Sequence, residues 1–374
     1  MTNATVAVVG LGRMGAALRD RLVEQGFDTV GWTRSAAGAS LADTVRGRDV
    51  VVLAVFDAEA CRDVLAEIAD VGVVVNTATV GPEEATELAA KANAPYVHAP
   101  VLGSVGAVAA GTLTVIAGGD LDAPGVAAVL GGISARVVTA PGVAEAAAMK
   151  LVGAAALASA LDGIRTAWSA ARALGVPDAD AVEVLSHTAF GGLVAAKRGQ
   201  LLGDAREGEV PGRADFAVGA LAKDLGLIRA AATGTPPTLA AVLERAPAGS
   251  DEDVAVLALP GTGVTAPLED YARGHATRDP AYFRRAFLPT AHIEGIRDGA
   301  FASWSLDEFT ALFDGRPDPR EPEFSRTIDE VRVDGSVATA TMSLDHGENR
   351  FTDMFVLVRT ADGWRIANKV YHRH

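Results

Sequence analysis

The sequence predicts a chain in three parts: a doubly wound α/β domain, an all-helical region, and an α+β module. Three observations lead there. Short β-branched runs alternate with helical patterns up to about residue 141, as expected of strands covered by helices on both faces. From Val143 the pattern is helical only. Past residue 264 it changes again, to helices followed by strand-like runs with hairpin-turn chemistry between them. The expected boundaries are therefore 1–141, 142–259 and 264–374.

In the first part the strand candidates are 5–9, 29–32, 50–55, 73–77, 96–100, 113–117 and 137–139. Their apolar residues run without alternation, which predicts a parallel sheet buried on both faces. Between them, "DAEACRDVLAEIA" has Asp57 as an N-cap and "PEEATELAAKA" has Pro82 in its first turn, both helix-start signals. A helix over 143–174 would span about 45 Å at 1.5 Å per residue, and Gly175 and Pro177 end it. Further helices run to about Leu259, where "LPGTGVTAP" reads as a linker. The last part holds helices over 268–275, 281–287 and 306–313. Strands over 324–333, 336–344, 350–358 and 364–371 follow, turning through "DG", "DHGEN" and "TADG".

Composition narrows the function. The net charge of -14, with no lysine- or arginine-rich run, argues against nucleic acid and anionic membranes as partners. Cys61 is the single cysteine, so no internal disulfide is possible and a reducing compartment is expected. The start, "MTNATVAVVGLGRMG", lacks the basic region and long apolar run of a signal peptide. No apolar stretch approaches ~18 residues without small or polar breaks, so no membrane span is expected and the cytoplasm is the default location. No metal site is expected.

"VAVVGLGRMGAALRDRL" places Gly10, Gly12 and Gly15 after a strand and at the opening of a helix. Glycines there permit the tight turn and let backbone amides approach a pyrophosphate at the helix N-terminus. The second strand ends in "GWTRS", without the carboxylate that would bind a ribose 2′-hydroxyl. Thr33, Arg34 and Ser35 instead suit a 2′-phosphate, so NADP(H) is expected over NAD(H).

Lys150 is the one charge in "AAAMKLVGAAALASAL" (146–161). At helical spacing its neighbours Ala146, Ala147, Gly153 and Ala154 are small, which predicts room for a nicotinamide ring and a compact substrate. A lysine in such a dry site has a depressed pKa and can give its proton to a developing alkoxide or amine. Lys223–Asp224 reads equally as a cofactor contact or as a surface pair.

Over roughly 5–258 the sequence resembles the β-hydroxyacid dehydrogenase family, through "VGLGRMG", "WTRS", "TATVGP", "APVLGSVGAVAAGTLTVIAGG", "AAAMKLVGAA" and "LAKDLGL". "APVLGS" and "MKLV" are most similar to its glyoxylate and succinic semialdehyde reductase branch. The resemblance implies a Rossmann domain, an all-α dehydrogenase domain begun by a long interdomain helix, and a homodimer. It also implies hydride transfer at a carbon beside or near a carboxylate. Lys150 matches the catalytic lysine, Thr79 and Lys223 match cofactor contacts, and Gly103 and Ser104 fall in the substrate loop. Leu11, Arg13, Met14 and Val55 complete the candidate cofactor set. Three positions depart from the family: Ala154 stands where a substrate-binding asparagine is usual, Ala146 replaces a glycine, and Leu102 replaces a serine. The expected function is NADPH-dependent reduction of a small-molecule carbonyl substrate, an aldehyde or keto acid, with Lys150 as proton donor. Imine reductases share the architecture and are the alternative among enzymes. A catalytically idle NADP-binding assembly protein is the alternative of another class.

"DYARGHATRDPAYFRRAF" and "FTDMFVLVRTADGWRIANKVYH" are similar to the nuclear transport factor 2-like superfamily, in its lumazine-binding-type branch. That resemblance implies an α+β cone, often dimeric, with a pocket at its open end that His292, Asp353 and Asn368 are candidates to line.

Overall fold

The computed structural model describes residues 4–35, 40–202, 215–232, 234–246, 248–259, 263–297, 299–334, 336–360 and 363–374. The chain packs as two compact units, Met1–Leu161 with Arg206–Val254, and Asp162–Ala205 with Ala255–His374.

The first unit opens with β1 (Thr5–Val9), α1 (Arg13–Glu24), β2 (Asp28–Trp32), α2 (Leu41–Val45), β3 (Val50–Leu53) and α3 (Ala58–Glu67). It continues with β4 (Val73–Asn76), α4 (Pro82–Lys91), β5 (Tyr96–His98), β6 (Val101–Leu102), α5 (Val105–Ala109), β7 (Thr114–Gly119), α6 (Val126–Ile133) and β8 (Arg136–Thr139). The sheet runs β2-β1-β3-β4-β5-β7-β6, with β8 paired to β7. Both faces are covered. Val6, Val8, Val50, Val52, Val73 and Val75 pack with Leu18 and Leu22 on one side. Val9, Val51, Leu53 and Val74 pack with Cys61, Val64, Leu65 and Leu88 on the other. Burial on two faces is why these strands read as unbroken apolar runs.

The all-parallel expectation holds for β1 to β5 and for the β7–β8 pair. β7 runs antiparallel to β5, and β6 antiparallel to β7. Between β5 and β7 the chain forms a two-residue strand and a five-residue helix. That leaves no full crossover helix, so β7 returns antiparallel.

The long helix α7 (Val143–Ala173) matches the expected span within a residue. By length and composition it is apolar enough to cross a membrane. In the protein, however, Ala147, Leu151, Ala154, Ala158, Leu161, Ile164 and Trp168 are buried, at spacings of three and four. Its small residues do not leave open space, as the sequence suggested. Ala146 packs with Ile116 and Ala140, and Ala147 joins the layer of Val9 and Leu53. A side chain at Gly153 would meet a Leu102 methyl at 2.5 Å. The small residues let the helix lie close on its neighbours. α8 (Asp178–Ser186), α9 (Gly191–Leu202), α10 (Val218–Ala231), α11 (Pro237–Arg245) and a 3-10 turn (Val254–Ala258) follow. Pro260, Gly261 and Thr262 of the expected linker lie outside the described residues, as do Gly335, Ala361 and Asp362 of two expected turns.

The second unit adds α12 (Ala266–Thr277), α13 (Pro280–Ala286), β9 (His292–Arg297), β10 (Ala300–Ser305) and α14 (Leu306–Thr310). Then come β11 (Ser325–Asp334), β12 (Val337–His346), β13 (Asn349–Thr360) and β14 (Gly363–Arg373). Their sheet is β10-β9-β14-β13-β12-β11. All neighbours are antiparallel except β14 and β9. β9 and β10 were not anticipated: Ile296 and Phe301, paired across the hairpin, are both exposed, which blurs the inside–outside alternation. Ser305 starts α14 with a capping box completed by Glu308. The core is aromatic, built on Tyr271, Phe283, Phe287, Phe309 and Phe355.

A bulge in β14 decides which polar residues face that core. Leu357 pairs with Ile366 but Val356 pairs with Asn368, so one extra residue sits on β14. The slip reverses the faces beyond it. Lys369 is 5% exposed inside, and Asn368 turns to the other face. There Asn368 accepts from the His292 amide and donates to Glu294. Of the three expected pocket residues only Asp353 is buried, 1% exposed. His292 and Asn368 belong to the outer face instead, Asn368 because the bulge puts it there.

Candidate active site

The glycine turn between β1 and α1 is shaped by close backbone approach. Gly10 has φ +96°, and a side chain there would lie 2.7 Å from the Ala54 carbonyl oxygen. At Gly15 a Cβ would fall 1.8 Å from the Gly10 oxygen. A Cβ at Gly12 would meet nothing within 4 Å. Gly12 is the N-cap of α1, a twelve-residue helix, and caps it with no side-chain bond. Open space in front of a helix N-terminus is what an anionic group requires. Leu11 lies over Gly31 of β2. Met14 packs into the layer of Leu18 and Leu22, and Val55 into the opposite layer. Arg13 reaches Asp251 at 2.9 Å.

Thr33 is half-buried, and Arg34 and Ser35 are exposed beyond the end of β2. The Arg34 side chain is 74% exposed and meets Asp63 at 3.1 Å. An exposed pair of this kind contributes little and leaves the guanidinium easy to recruit.

Lys150, on the second turn of α7, is 12% exposed. Its ammonium lies 3.7 Å from Asp224 of α10 and 6.0 Å from the Phe216 ring centre. Burial pushes its pKa down, opposed by the Asp224 charge and assisted by Lys223. A long ion pair in a dry place holds the ammonium without using all three of its N–H groups.

Lys223 is not a surface residue. It donates to the carbonyls of Phe56 (2.9 Å) and Thr79 (2.7 Å) and lies 3.4 Å from Asp224. It thereby ties together the segments that leave β3 and β4, with its own donors committed. Thr79 takes part through its backbone oxygen. Phe56 is 59% exposed and stands beneath the Lys223 ammonium, which is 5.0 Å from its ring centre.

Gly103 turns the chain after β6 with φ +135°, and Ser104 begins α5. The Leu102 side chain against Gly153 brings this loop to α7, one turn beyond Lys150. Ala154 is buried at 3%. The structure thus gathers Lys150, Asp224 and Lys223 directly, and sets the 102–104 loop beside the same helix. Arg34 stands apart, at the end of β2. Sequence reasoning missed Asp224 as the partner of Lys150. The signal was present: Asp224 is a lone acid in the apolar helix "VGALAKDLGLI", as Lys150 is the lone charge in 146–161.

Among the described residues no group of three or more His, Cys, Asp or Glu could hold a metal.

Comparison with known proteins agrees with this anatomy. Residues 5–142 match the NAD binding domain of 6-phosphogluconate dehydrogenase, and residues 261–372 match the family described as "Putative lumazine-binding". The NAD-dependent L-serine dehydrogenase of Pseudomonas aeruginosa is 34% identical over 140 residues, covering 32% of this chain and 47% of that protein. An uncharacterized oxidoreductase of Synechocystis is 30% identical over 146 residues, covering 32% of this chain and 50% of its own. The chain spans about half the length of the curated relatives it matches. The solved 3-hydroxyisobutyrate dehydrogenase of Mycobacterium tuberculosis, bound to L-serine, is 24% identical with a TM-score of 0.57. That similarity covers 68% of this chain and 98% of that one, and it establishes the fold. The chain therefore joins a region that matches the NAD binding domain of 6-phosphogluconate dehydrogenase, and a helical region, to a module that matches the family described as "Putative lumazine-binding".

Proposed function

We propose that the protein is an NADPH-dependent oxidoreductase that reduces a small carbonyl compound, with Lys150 as proton donor. The observation that carries this reading is Lys150 itself, a buried ammonium with a lowered pKa and one long ion pair. The amides at the start of α1, opened by Gly12, would receive the cofactor's pyrophosphate, and Arg34 with Thr33 and Ser35 its 2′-phosphate. The bound nicotinamide would supply a hydride. Lys150 would hold a proton against the substrate oxygen and release it as negative charge develops there. Asp224 would keep the ammonium aimed and stabilise it between turnovers, while Lys223 would fix the Phe56 and Thr79 segments that frame the site. Gly103 and Ser104 would bound the substrate from the loop held against Gly153. Ala154 brings no hydrogen-bonding group of its own to that substrate.

The Pseudomonas aeruginosa relative is NAD-dependent by name. Arg34 and the absence of a carboxylate in "GWTRS" at the end of β2 favour NADPH here. Arg34→Ala should weaken NADPH by roughly 10- to 100-fold, the value of one charge-assisted phosphate contact, and leave NADH nearly unchanged. Equal losses for the two cofactors would contradict the assignment.

Reduction of an imine is the second reading, favoured by the lowered pKa of Lys150, which also suits protonation of a developing amine. Consumption of NADPH across aldehydes, keto acids and cyclic imines separates the two. Turnover confined to the imines would replace the carbonyl reading, and none with any class would leave a cofactor-binding protein without catalysis.

A further inference from the structure

The second unit holds a cleft that neither the reduction chemistry nor the aromatic core uses. It measures about 660 Å³ and lies where the end of α7 and the turn after it meet α12 and α13. Gly175, with φ +75°, makes that turn, and its amide donates to the Arg172 carbonyl. Three guanidinium groups line the cleft, from Arg172, Arg273 and Arg285, against two carboxylates, from Asp178 and Asp270.

Two of the three cations are committed. Arg172 grips Asp178 with Nε and Nη2, each 2.8 Å from one of its oxygens, and the Trp168 indole donates to the same carboxylate at 2.7 Å. Asp270 stands three residues before Arg273 on α12, the spacing of a helical ion pair. It receives Arg285 of α13 instead, through Nη2 at 3.1 Å and Nε at 3.3 Å. Arg285 also stands over the Tyr282 ring, 4.3 Å from its centre.

Arg273 is left over. Among the described residues its guanidinium meets no carboxylate and donates no hydrogen bond, and it lies 5.7 Å from the centre of the Tyr282 ring. The residue is half-buried, so part of its hydration is gone while its N–H groups still lack acceptors. The bonds from Arg172 and Trp168 hold the Asp178 carboxyl below its usual range, and the Arg273 charge adds to this. Asp178 thus stays ionised on Arg172, and the cleft keeps one unmatched positive charge.

That count defines the ligand. One negative group neutralises the cleft, whereas a dianion would bring a charge in excess. The two oxygens of a carboxylate match a guanidinium fork in one plane. Val176 and the Tyr282 ring offer an organic body an apolar wall. We propose that this cleft binds a small organic monocarboxylate, with Arg273 on its two oxygens and Tyr282 and Val176 against its body. The site belongs to the second unit and Lys150 to the first, so it does not rest on the oxidoreductase reading.

The test titrates the full chain with benzoate, cyclohexanecarboxylate and hexanoate by calorimetry at low salt. Benzyl alcohol, benzylammonium and inorganic phosphate are the controls. At least one carboxylate should bind saturably, about tenfold or more tighter than every control, the worth of a charge-assisted fork. Arg273→Gln should lower that affinity about tenfold, and Arg273→Lys, which keeps the charge without the fork, should restore only part of it. Neither change breaks an ion pair, so circular dichroism and the melting temperature should stay as they are. Lys150→Ala should leave the affinity within about twofold. Binding that survives Arg273→Gln, or that disappears with Lys150→Ala, would overturn the proposal by placing the carboxylate elsewhere. Saturable binding by none of the three, or tighter binding of phosphate than of all three, would overturn it as well. These last two outcomes are read on the unaltered protein, so they stand even if a variant does not fold.

Discussion

The inward residues of the first sheet are nearly all valine, leucine and alanine, whereas the second sheet encloses Tyr271, Asp353 and Lys369 among phenylalanines. In the first unit the groups assigned to chemistry stand past the ends of strands and on the flanking helices, where the chain turns. In the second, Tyr271, Asp353 and Lys369 sit in the middle of the core. The difference teaches where each sheet tolerates change. Exposed polar residues of the first, such as Arg34, can be altered at little cost to folding, while buried pairs such as Lys369–Asp353 in the second carry stability directly.

The largest expected effect breaks the second core. Lys369→Met leaves the Asp353 carboxylate buried without its counter-charge, a loss of about 3–5 kcal/mol. Heat or urea unfolding should register it, and adding Asp353→Leu should recover a large part. A destabilisation below about 1 kcal/mol would mean that water already solvates the pair.

A smaller effect comes from the exception in the first unit. His98 of β5 is fully buried with neither ring nitrogen hydrogen-bonded, and burial lowers its pKa from an ordinary 6.5 to about 4. The unfolded chain binds this proton below pH 6.5 and the folded chain does not until about pH 4. Stability should therefore fall as pH drops through that window, by about 3 kcal/mol in all. Urea unfolding of His98→Leu across the window should lose this part of the slope. An unchanged slope would show that other groups cause it.

The smallest effect separates two glycines three residues apart. Gly15→Ala pushes a methyl into the Gly10 carbonyl and should cost about 1–3 kcal/mol. Gly12→Ala meets open space and should leave the melting temperature within about 2 °C, yet weaken NADPH binding, because its methyl faces the amides of α1. Equal stability losses at both positions would contradict the loop geometry.

Much of this was legible in the residues. The runs of valine announced the first sheet because burial on two faces removes alternation. The glycine spacing fixed the turn before α1, and the single charge in "AAAMKLVGAAALASAL" marked Lys150. What escaped depended on register or on distant pairing. The antiparallel return of β7 follows from a connection whose length alone does not forbid a crossover. Lys369 was hidden because one extra residue in β14 reverses the faces, which no alternation count could anticipate. Asp224 was visible as a lone acid, but its approach to Lys150 joins helices more than seventy residues apart.

The central claim is that Lys150 supplies a proton rather than a contact to the cofactor. Lys150→Ala, assayed with the best substrate of the carbonyl panel, separates the two roles. NADPH affinity, followed by fluorescence titration, should stay within about threefold of the unaltered protein. Turnover should fall by roughly 10²- to 10⁴-fold, the usual yield of a positioned proton donor. Turnover close to the original value, or an NADPH affinity that falls along with it, would contradict the claim.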